Sequence, residues 1–123
     1  MSEPTIHVVD DDDDVRLALK AMIEALGMHA ELYRSGEEFL AAGAVRGRGC
    51  ILIDVRMPGL SGLELVTRLA DRGSKLPVIM ISGHGDESMV AEAGRMGVVD
   101  FLPKPFRLVV LRQAIRRALD RDT

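Results

Sequence analysis

The sequence predicts a single α/β domain, in which helices cover both faces of a five-stranded parallel sheet in the doubly wound (βα)5 arrangement. Short apolar runs alternate five times with longer stretches whose apolar residues recur at helical spacing. The short runs are apolar throughout, which is typical of parallel strands that are buried on both faces. The chain has 123 residues and is 47% apolar, which suits one domain with a packed core.

The first β/α pair joins the apolar run at residues 5–9 to a helix predicted over residues 14–26. Val15, Leu19 and Ile23 recur at helical spacing and belong to one apolar stripe, as expected for a helix that packs on a sheet. Gly27 is a suitable end for this helix, because glycine commonly follows the last helical turn.

The next two strands are predicted at residues 29–33 and 50–54. Ser35 can cap a short helix between them that runs to about residue 42, and Glu38 stands at the capping-box position. Cys50 opens the second of these strands. Because it is the only cysteine in the chain, it cannot form an internal disulfide, and we expect a buried thiol in a reducing compartment.

The rest of the chain alternates in the same way. A Met-Pro-Gly loop at residues 57–59 precedes a helix that starts near Ser61, and an apolar strand follows at residues 77–82. A helix at residues 86–96, a strand at 98–102 and a helix at 108–119 complete the domain, and Pro-Lys-Pro at 103–105 ends the last strand. We expect the polar residues 120–123 to form a tail or the start of a linker.

Composition and charge argue against several classes of function. The net charge of −3 disfavours direct contact with nucleic acid, because a phosphate backbone requires a basic face. No stretch approaches the roughly 20 apolar residues that span a membrane, and the first residues lack the character of a signal peptide. We therefore expect a cytoplasmic domain without membrane contact.

Polar residues follow the predicted core strands at one edge of the sheet. Asp10 and Asp11 follow the first strand, Asp54 ends the third, Ser82 ends the fourth, and Lys104 follows the fifth. Open parallel sheets bind their ligands at this edge, outside the carboxyl ends of the strands. A single aspartate at a strand end is often only a turn residue. The convergence of three carboxylates, a hydroxyl and an ammonium points instead to a site.

This set of side chains suits phosphoryl transfer. Oxygen ligands are those that Mg²⁺ prefers, and an ionised aspartate can attack phosphorus to form an acyl phosphate. The charge that develops on the phosphoryl oxygens requires cationic and hydrogen-bonding partners, which the ammonium and the hydroxyl supply.

Four segments resemble the CheY-like receiver domain of two-component response regulators, and the similarity covers nearly all of residues 1–123. They are Val-Val-Asp-Asp-Asp at residues 8–12, Asp-Val-Arg-Met-Pro-Gly-Leu-Ser-Gly at 54–62, Ile-Ser-Gly-His-Gly-Asp at 81–86, and Asp-Phe-Leu-Pro-Lys-Pro-Phe at 100–106. The Gly-His-Gly-Asp segment most resembles the FixJ-type regulators of nitrogen fixation. The resemblance implies the flavodoxin-like strand order 2-1-3-4-5. It also implies a phosphorylation switch rather than an enzyme, one that catalyses only its own phosphorylation and dephosphorylation.

The resemblance also implies a role for each matching residue. Asp54 would be the phosphoacceptor. The metal would be Mg²⁺, for which Mn²⁺ can substitute, and its ligands would be Asp11, Asp54, the backbone carbonyl of Arg56 and, through a water molecule, Asp10. The phosphoryl-binding and switch residues would be Ser82, Gly83, Lys104 and Phe101. Lys104–Pro105 would be a cis peptide bond. The Arg56 side chain, for which a structural salt bridge is expected, and His84 would tune the site.

The same resemblance implies partners. A sensor histidine kinase would donate the phosphoryl group, and the phosphorylated chain would form a homodimer or contact a partner through the face built from residues 86–119. The output would be transcription control through a DNA-binding domain absent from this chain. Three departures from the family pattern, Gly94, Met96 and Val98, lie on this face and put the usual dimer mode in doubt. Gly94 alone costs the helix about 1 kcal/mol relative to alanine.

Two alternative functions stay open. Asp-Asp-Asp-Asp-Val at residues 11–15 fits the signature of haloacid-dehalogenase-type phosphatases, in which Asp11 would be the nucleophile, although the chain is short for that fold. The other alternative is a stand-alone receiver that acts as a protein-interaction switch. A calcium-binding loop is rejected, because Val15 and Ala21 occupy its required glycine and glutamate positions.

The remaining aspartates of the acidic run are expected to start the first helix. Carboxylates in a first helical turn gain ~0.3–1 kcal/mol each from the helix dipole. Asp12, Asp13 and Asp14 therefore have a structural explanation that is separate from the metal site. They also raise the negative potential beside it.

Overall fold

A computed structural model of the protein describes residues 3–43 and 47–121. Its elements, in chain order, are β1 Thr5–Val9, α1 Asp13–Ala25, β2 His29–Tyr33, α2 Gly36–Ala42, β3 Gly49–Asp54, α3 Gly62–Asp71, β4 Val78–Ser82, α4 Glu87–Arg95, β5 Asp100–Pro103 and α5 Leu108–Arg121. The strands are all parallel and lie in the order β2-β1-β3-β4-β5. The predicted fold class and strand order are confirmed.

The sheet divides the interior into two apolar layers. Alternate residues of the central strand β3 face opposite sides, so that Ile51 and Ile53 pack on the side of α2, α3 and α4. Leu52 and the buried Cys50 pack on the side of α1 and α5. Every residue of β3 is buried. The uninterrupted apolar runs in the sequence follow from this two-sided burial.

The last strand begins two residues later than predicted. The backbone N–H of Val98 donates to the carbonyl of Ala93 at the end of α4, at 3.2 Å. Gly97 turns the chain there with φ of +94°. Because its N–H is used by the helix end, Val98 does not join the ladder. The Val99 N–H donates to the Val78 carbonyl at 2.9 Å, and the paired residues of β5 begin at Asp100.

The last helix is longer than predicted. Helix α5 continues through Asp120 to Arg121, so these residues of the expected tail are helical. The final two residues of the expected tail, 122–123, lie outside the described part of the chain. No helix within residues 3–43 and 47–121 is both long enough and apolar enough to cross a bilayer.

The strand order fixes which polar residues meet. Strands β1, β3, β4 and β5 are consecutive in the sheet and all point the same way, so their carboxyl ends form one edge. Asp10, Asp54, Ser82 and Lys104 lie at or directly after these ends. The sheet therefore assembles residues that are up to 94 positions apart (104 − 10) in the sequence.

Helix α4 has a glycine on its exposed face, where alanine would stabilise the helix. Gly94 lies inside this helix with no neighbouring atom within 4 Å of the position that a Cβ would take. We expect Gly94→Ala to raise the free energy of unfolding by about 0.5–1 kcal/mol, because alanine loses less backbone entropy in a helix. Urea unfolding followed by circular dichroism measures this change.

Gly62 is the matched control, since it is also a helical glycine. A Cβ there would lie 2.3 Å from the carbonyl oxygen of Asp54 and 2.9 Å from Cα of Val55. Gly62→Ala must shift the backbone beneath Asp54, so it should destabilise the fold. Equal effects of the two substitutions would contradict this account of the two glycines.

Candidate functional site

Three carboxylates meet at the carboxyl edge of β1 and β3. Asp10, Asp11 and Asp54 each place an oxygen within 4.8 Å of the others. Asp10 and Asp54 are buried and Asp11 is exposed. The cluster is formed because β1 and β3 are paired neighbours, with Val9 opposite Ile53.

The oxygens of this cluster suit a hard cation. Asp10 Oδ1 accepts a hydrogen bond from the Asp12 N–H at 2.9 Å, and Asp54 Oδ1 accepts one from the Arg56 N–H at 3.0 Å. Asp10 Oδ2 is buried and has no hydrogen-bond partner among the described residues. A buried oxygen in this state requires a partner, and a cation that prefers oxygen ligands, such as Mg²⁺, fits the donor set.

Burial shifts the protonation of both inner carboxylates. Removal from water raises the pKa of Asp10 to about 7, and the charge of Asp54 adds to the rise, while the Asp12 N–H opposes it. Burial also raises the pKa of Asp54, against the opposing effects of the Arg56 N–H and of Lys104. Without a cation, the site therefore retains protons that isolated aspartates lose.

The other predicted site residues lie around Asp54. The Lys104 ammonium is 3.7 Å from Asp54 Oδ2, and the Lys104–Pro105 peptide bond is cis. Ser82 is half-buried, and its carbonyl accepts a hydrogen bond from the Lys104 N–H at 2.9 Å. Phe101 is also half-buried and packs against the apolar layer under α2, α3 and α4.

The Arg56 side chain reaches the loop between β4 and α4. Its Nε donates to Asp86 Oδ1, and its Nη2 donates to the Gly85 carbonyl at 3.3 Å. The expected salt bridge of Arg56 is therefore present. His84, in the middle of the same loop, is exposed.

Helix α1 uses the rest of the acidic run at its start. Asp12 is the N-cap, and its Oδ1 accepts hydrogen bonds from the N–H groups of Asp14 at 2.8 Å and Val15 at 3.1 Å. Asp13 forms an ion pair with Arg16 in the first turn. The predicted helix-start role of these aspartates is confirmed.

Residues 6–116 match the model of the response regulator receiver domain. The chain belongs to this family. It is 46% identical over 117 residues to the transcriptional regulatory protein FixJ of Azorhizobium caulinodans, an alignment that covers 95% of this chain and 56% of the relative. It is also 42% identical to the response regulator protein TmoT of Ectopseudomonas mendocina, covering 95% of this chain and 53% of the relative. The receiver thus spans little more than half the length of these relatives.

Solved structures agree with the family assignment. The crystal structure of FixJ-N superposes with a TM-score of 0.90 at 41% identity, covering 98% of this chain and 96% of the other. The response regulator StyR superposes with a TM-score of 0.91 at 36% identity, covering 98% of this chain and 61% of the other. Both neighbours share the receiver fold described above.

Two buried charged residues near the receiver's acidic edge were not predicted. The Arg16 guanidinium donates to the Asp10 carbonyl oxygen at 2.6 Å, and the Asp86 carboxylate lies under the β4–α4 loop. Arg16 could have been noticed as the first cation after five aspartates. Asp86 ends the Gly-His-Gly-Asp segment, and the sequence placed it only at the start of the helix predicted over residues 86–96. Sequence alone does not reveal which partner a loop carboxylate takes.

The raised pKa of Asp10 predicts how stability depends on pH in metal-free buffer. Between about pH 4 and 7, the folded receiver holds a proton that the unfolded chain has lost, so its stability falls as pH rises through this window. We expect Asp10→Asn, which keeps an acceptor for the Asp12 N–H, to remove this fall. At pH 8, the free energy of unfolding of the variant should exceed that of the wild type by more than about 1 kcal/mol.

The measurement is the difference in unfolding free energy between wild type and Asp10→Asn across this pH range, with a chelator present. The difference cancels the opposite contribution of His7, whose pKa is lowered mainly by burial. A difference that does not change between pH 4 and 8 would show that Asp10 is not the group responsible.

Proposed function

We propose that this receiver accepts a phosphoryl group on Asp54 from a sensor histidine kinase and changes a binding surface in response. One observation carries the proposal. Asp54 is a buried carboxylate between an acidic pair, Asp10 and Asp11, and a single ammonium, Lys104. A carboxylate in this setting is positioned both as a nucleophile and as a metal ligand.

The transfer step is a displacement at phosphorus. A carboxylate oxygen of Asp54 forms the new O–P bond, while the N–P bond of the donor phosphohistidine breaks and its electron pair returns to the imidazole ring. Lys104, whose Nζ is 3.7 Å from Asp54 Oδ2, stabilises the negative charge on the transferred oxygens. The Arg56 N–H holds Asp54 Oδ1 in a fixed orientation during attack.

The proposed direct ligands of Mg²⁺, or of Mn²⁺ in its place, are Asp11, Asp54 and the carbonyl of Arg56. Asp10 would hold the ion through a water molecule. When bound, the cation supplies charge stabilisation to the phosphoryl oxygens and offsets repulsion among the carboxylates. The buried Asp10 Oδ2, which lacks a partner among the described residues, supports this assignment.

The proposed response begins at the ends of β4 and β5. The hydroxyl of Ser82 and the N–H of Gly83 are donors at this edge, and a phosphoryl group on Asp54 draws them inward. Phe101 is half-buried, and in this proposal its ring turns toward the space that Ser82 leaves. His84 is exposed beside this edge, where it tunes access to the acyl phosphate. Such a response shifts a two-state equilibrium rather than creating a new state.

The wider setting belongs to the same proposal. A cytoplasmic location is supported by the single, buried Cys50. Transcription control is supported by FixJ of Azorhizobium caulinodans, which is described as a transcriptional regulatory protein and which this chain matches over 56% of its length. We assign DNA contact to a separate domain rather than to this receiver, whose net charge is −3.

The haloacid-dehalogenase-type alternative is not favoured. The ion pair that Lys104 makes is with Asp54, and Asp11 is exposed rather than enclosed. The receiver family match covers residues 6–116, which leaves no part of the site outside it. An interaction switch that acts without an output domain stays compatible with the same chemistry.

Phosphoryl labelling tests the assigned roles. We expect a small phosphodonor, acetyl phosphate, to label the wild type in the presence of Mg²⁺, and labelling to fall below detection in Asp54→Asn. Lys104→Ala should slow labelling by roughly 10²-fold or more, in the range found when one charge-stabilising donor is removed. Intact-mass spectrometry with time measures both effects.

The proposed metal role adds a second arm to this experiment. Chelation of Mg²⁺ should abolish labelling of the wild type, and Asp11→Asn should lose most of it. Rapid labelling of Asp54→Asn at another residue, or unchanged labelling of Asp11→Asn, would overturn the assignment. Turnover of a phosphomonoester by Asp54→Asn would support the phosphatase alternative instead.

The proposed homodimer through the face of residues 86–119 has its own test. We expect beryllofluoride, a stable phosphoryl mimic, to shift the wild type from monomer to dimer in sedimentation velocity, and to leave Asp54→Asn unchanged. Val109 is an exposed apolar residue on this face, so Val109→Glu should oppose the dimer. A monomer under all conditions would favour a different protein partner.

A further inference from the structure

Asp86 is the buried carboxylate that the phosphoryl-transfer proposal leaves without a role. Among the described residues the buried carboxylates are Asp10, Asp54 and Asp86. Asp86 occupies the N-cap position of α4 but makes no capping hydrogen bond with its side chain. Its carboxylate turns back into the β4–α4 loop instead.

Both oxygens of Asp86 are used inside that loop and across the site. Oδ2 accepts the Gly83 N–H at 2.7 Å, and Oδ1 accepts Nε of Arg56. The Gly85 carbonyl accepts a further bond from Arg56 at 3.3 Å. Burial opposes ionisation of Asp86, but the bonds from Gly83 and Arg56 outweigh it and lower its pKa. The loop is therefore closed by an ionised, fully bonded carboxylate.

This closure is joined directly to the phosphoacceptor. The Arg56 N–H donates to Asp54 Oδ1 while its side chain holds Asp86, so one residue connects the two loops. Gly83 is adjacent to Ser82, and a Cβ on it would lie 3.9 Å from Cδ of Lys104. The N–H that Asp86 occupies is therefore a main-chain donor at the edge where the phosphoryl group arrives.

Helix α4 has few other anchors. Ala93 is the single fully buried residue in its nine positions, Met89 is half-buried against the apolar layer, and Gly94 weakens the last turn. Its first turn has no side-chain cap from Asp86. The position of the helix start thus depends strongly on the loop that precedes it.

We propose that Arg56 and Asp86 form a latch that holds the β4–α4 loop of the unphosphorylated receiver by occupying the Gly83 N–H. This inference rests on the proposed phosphorylation of Asp54. A phosphoryl group competes with Asp86 for the same N–H, so the latch opens as the phosphorylated state forms. Asp86 and the Arg56 side chain are positioning residues that set how readily the receiver switches.

The latch predicts that two variants of opposite charge change have the same effect. Arg56→Gln keeps the backbone groups of residue 56 but removes the cation, and Asp86→Asn removes the anion. Each breaks the ion pair, so each should tighten the binding of beryllofluoride at saturating Mg²⁺ by about fivefold or more, the scale of coupling between sites. Amide spectra of the ¹⁵N-labelled receiver report binding and loop position together.

A simple charge effect predicts a different pattern. Beryllofluoride adds negative charge, so loss of the cation of Arg56 would weaken its binding and loss of the anion of Asp86 would strengthen it. Glu92→Gln breaks the exposed Arg95–Glu92 pair on the same helix and should leave binding unchanged. The double variant Arg56→Gln/Asp86→Asn should bind no tighter than either single variant, because both break one latch.

Different results would contradict the latch and the proposed phosphorylation of Asp54. In the protein without beryllofluoride, both latch variants should shift the Gly83 amide toward its position in the wild-type bound spectrum. An unmoved Gly83 amide in folded variants, opposite effects of the two variants on affinity, or additive effects in the double variant would overturn the latch. Failure of the wild type to bind beryllofluoride, while both latch variants move the Gly83 amide from its wild-type position to one shared new position, would instead contradict the proposed phosphorylation site.

Discussion

The mutual repulsion of three carboxylates at the edge of the sheet is the constraint that organises this receiver. Asp10, Asp11 and Asp54 hold oxygens within 4.8 Å of one another, and two of the three residues are buried. Charges removed from water in this way cost several kcal/mol unless they are paired. The surrounding groups offset that cost only in part: the pKa values of Asp10 and Asp54 stay raised. This cost lowers the stability of the folded state only, because the carboxylates of the unfolded chain are in water. Burial of the apolar layers must therefore outweigh it.

The compensating groups come from several elements around this edge. The backbone N–H groups of Asp12 and Arg56 each donate to one carboxylate oxygen, and Arg16 of α1 donates a hydrogen bond to the Asp10 carbonyl. Lys104 arrives from beyond β5. Because these groups are spread over four segments, a change of charge at Asp54 acts on several loops at once. Arg56 extends this set to the β4–α4 loop, because its N–H contacts Asp54 at the end of β3 and its side chain contacts Asp86.

The fold separates a rigid part from a part that can respond. The central strands are buried on both faces and carry Asp10 and Asp54 with little freedom. Ala93 is the only residue of helix α4 that is fully buried, and polar contacts tie Asp86, the residue before the helix, to Arg56 and Gly83. Polar contacts of this kind exchange partners more readily than packed apolar layers, because a new charge nearby can replace the old partner. The face that follows Asp86 is thus where a signal from Asp54 has most scope to appear.

The order of residues was enough to predict the alternation of strands and helices, the parallel sheet and the residues at its carboxyl edge. It could do so because burial on both faces imposes apolar runs, and because the ends of parallel strands share one edge. The aspartates of the helix start were predictable for a similar local reason. Three features became known only from the folded molecule. The Val98 N–H bonds to the end of α4, Arg16 supports Asp10, and Asp86 faces Arg56 and Gly83 rather than capping its helix. These outcomes depend on contacts between segments distant in sequence, or on competition between two local partners. The spacing of apolar and polar residues along the sequence reveals neither kind of contact.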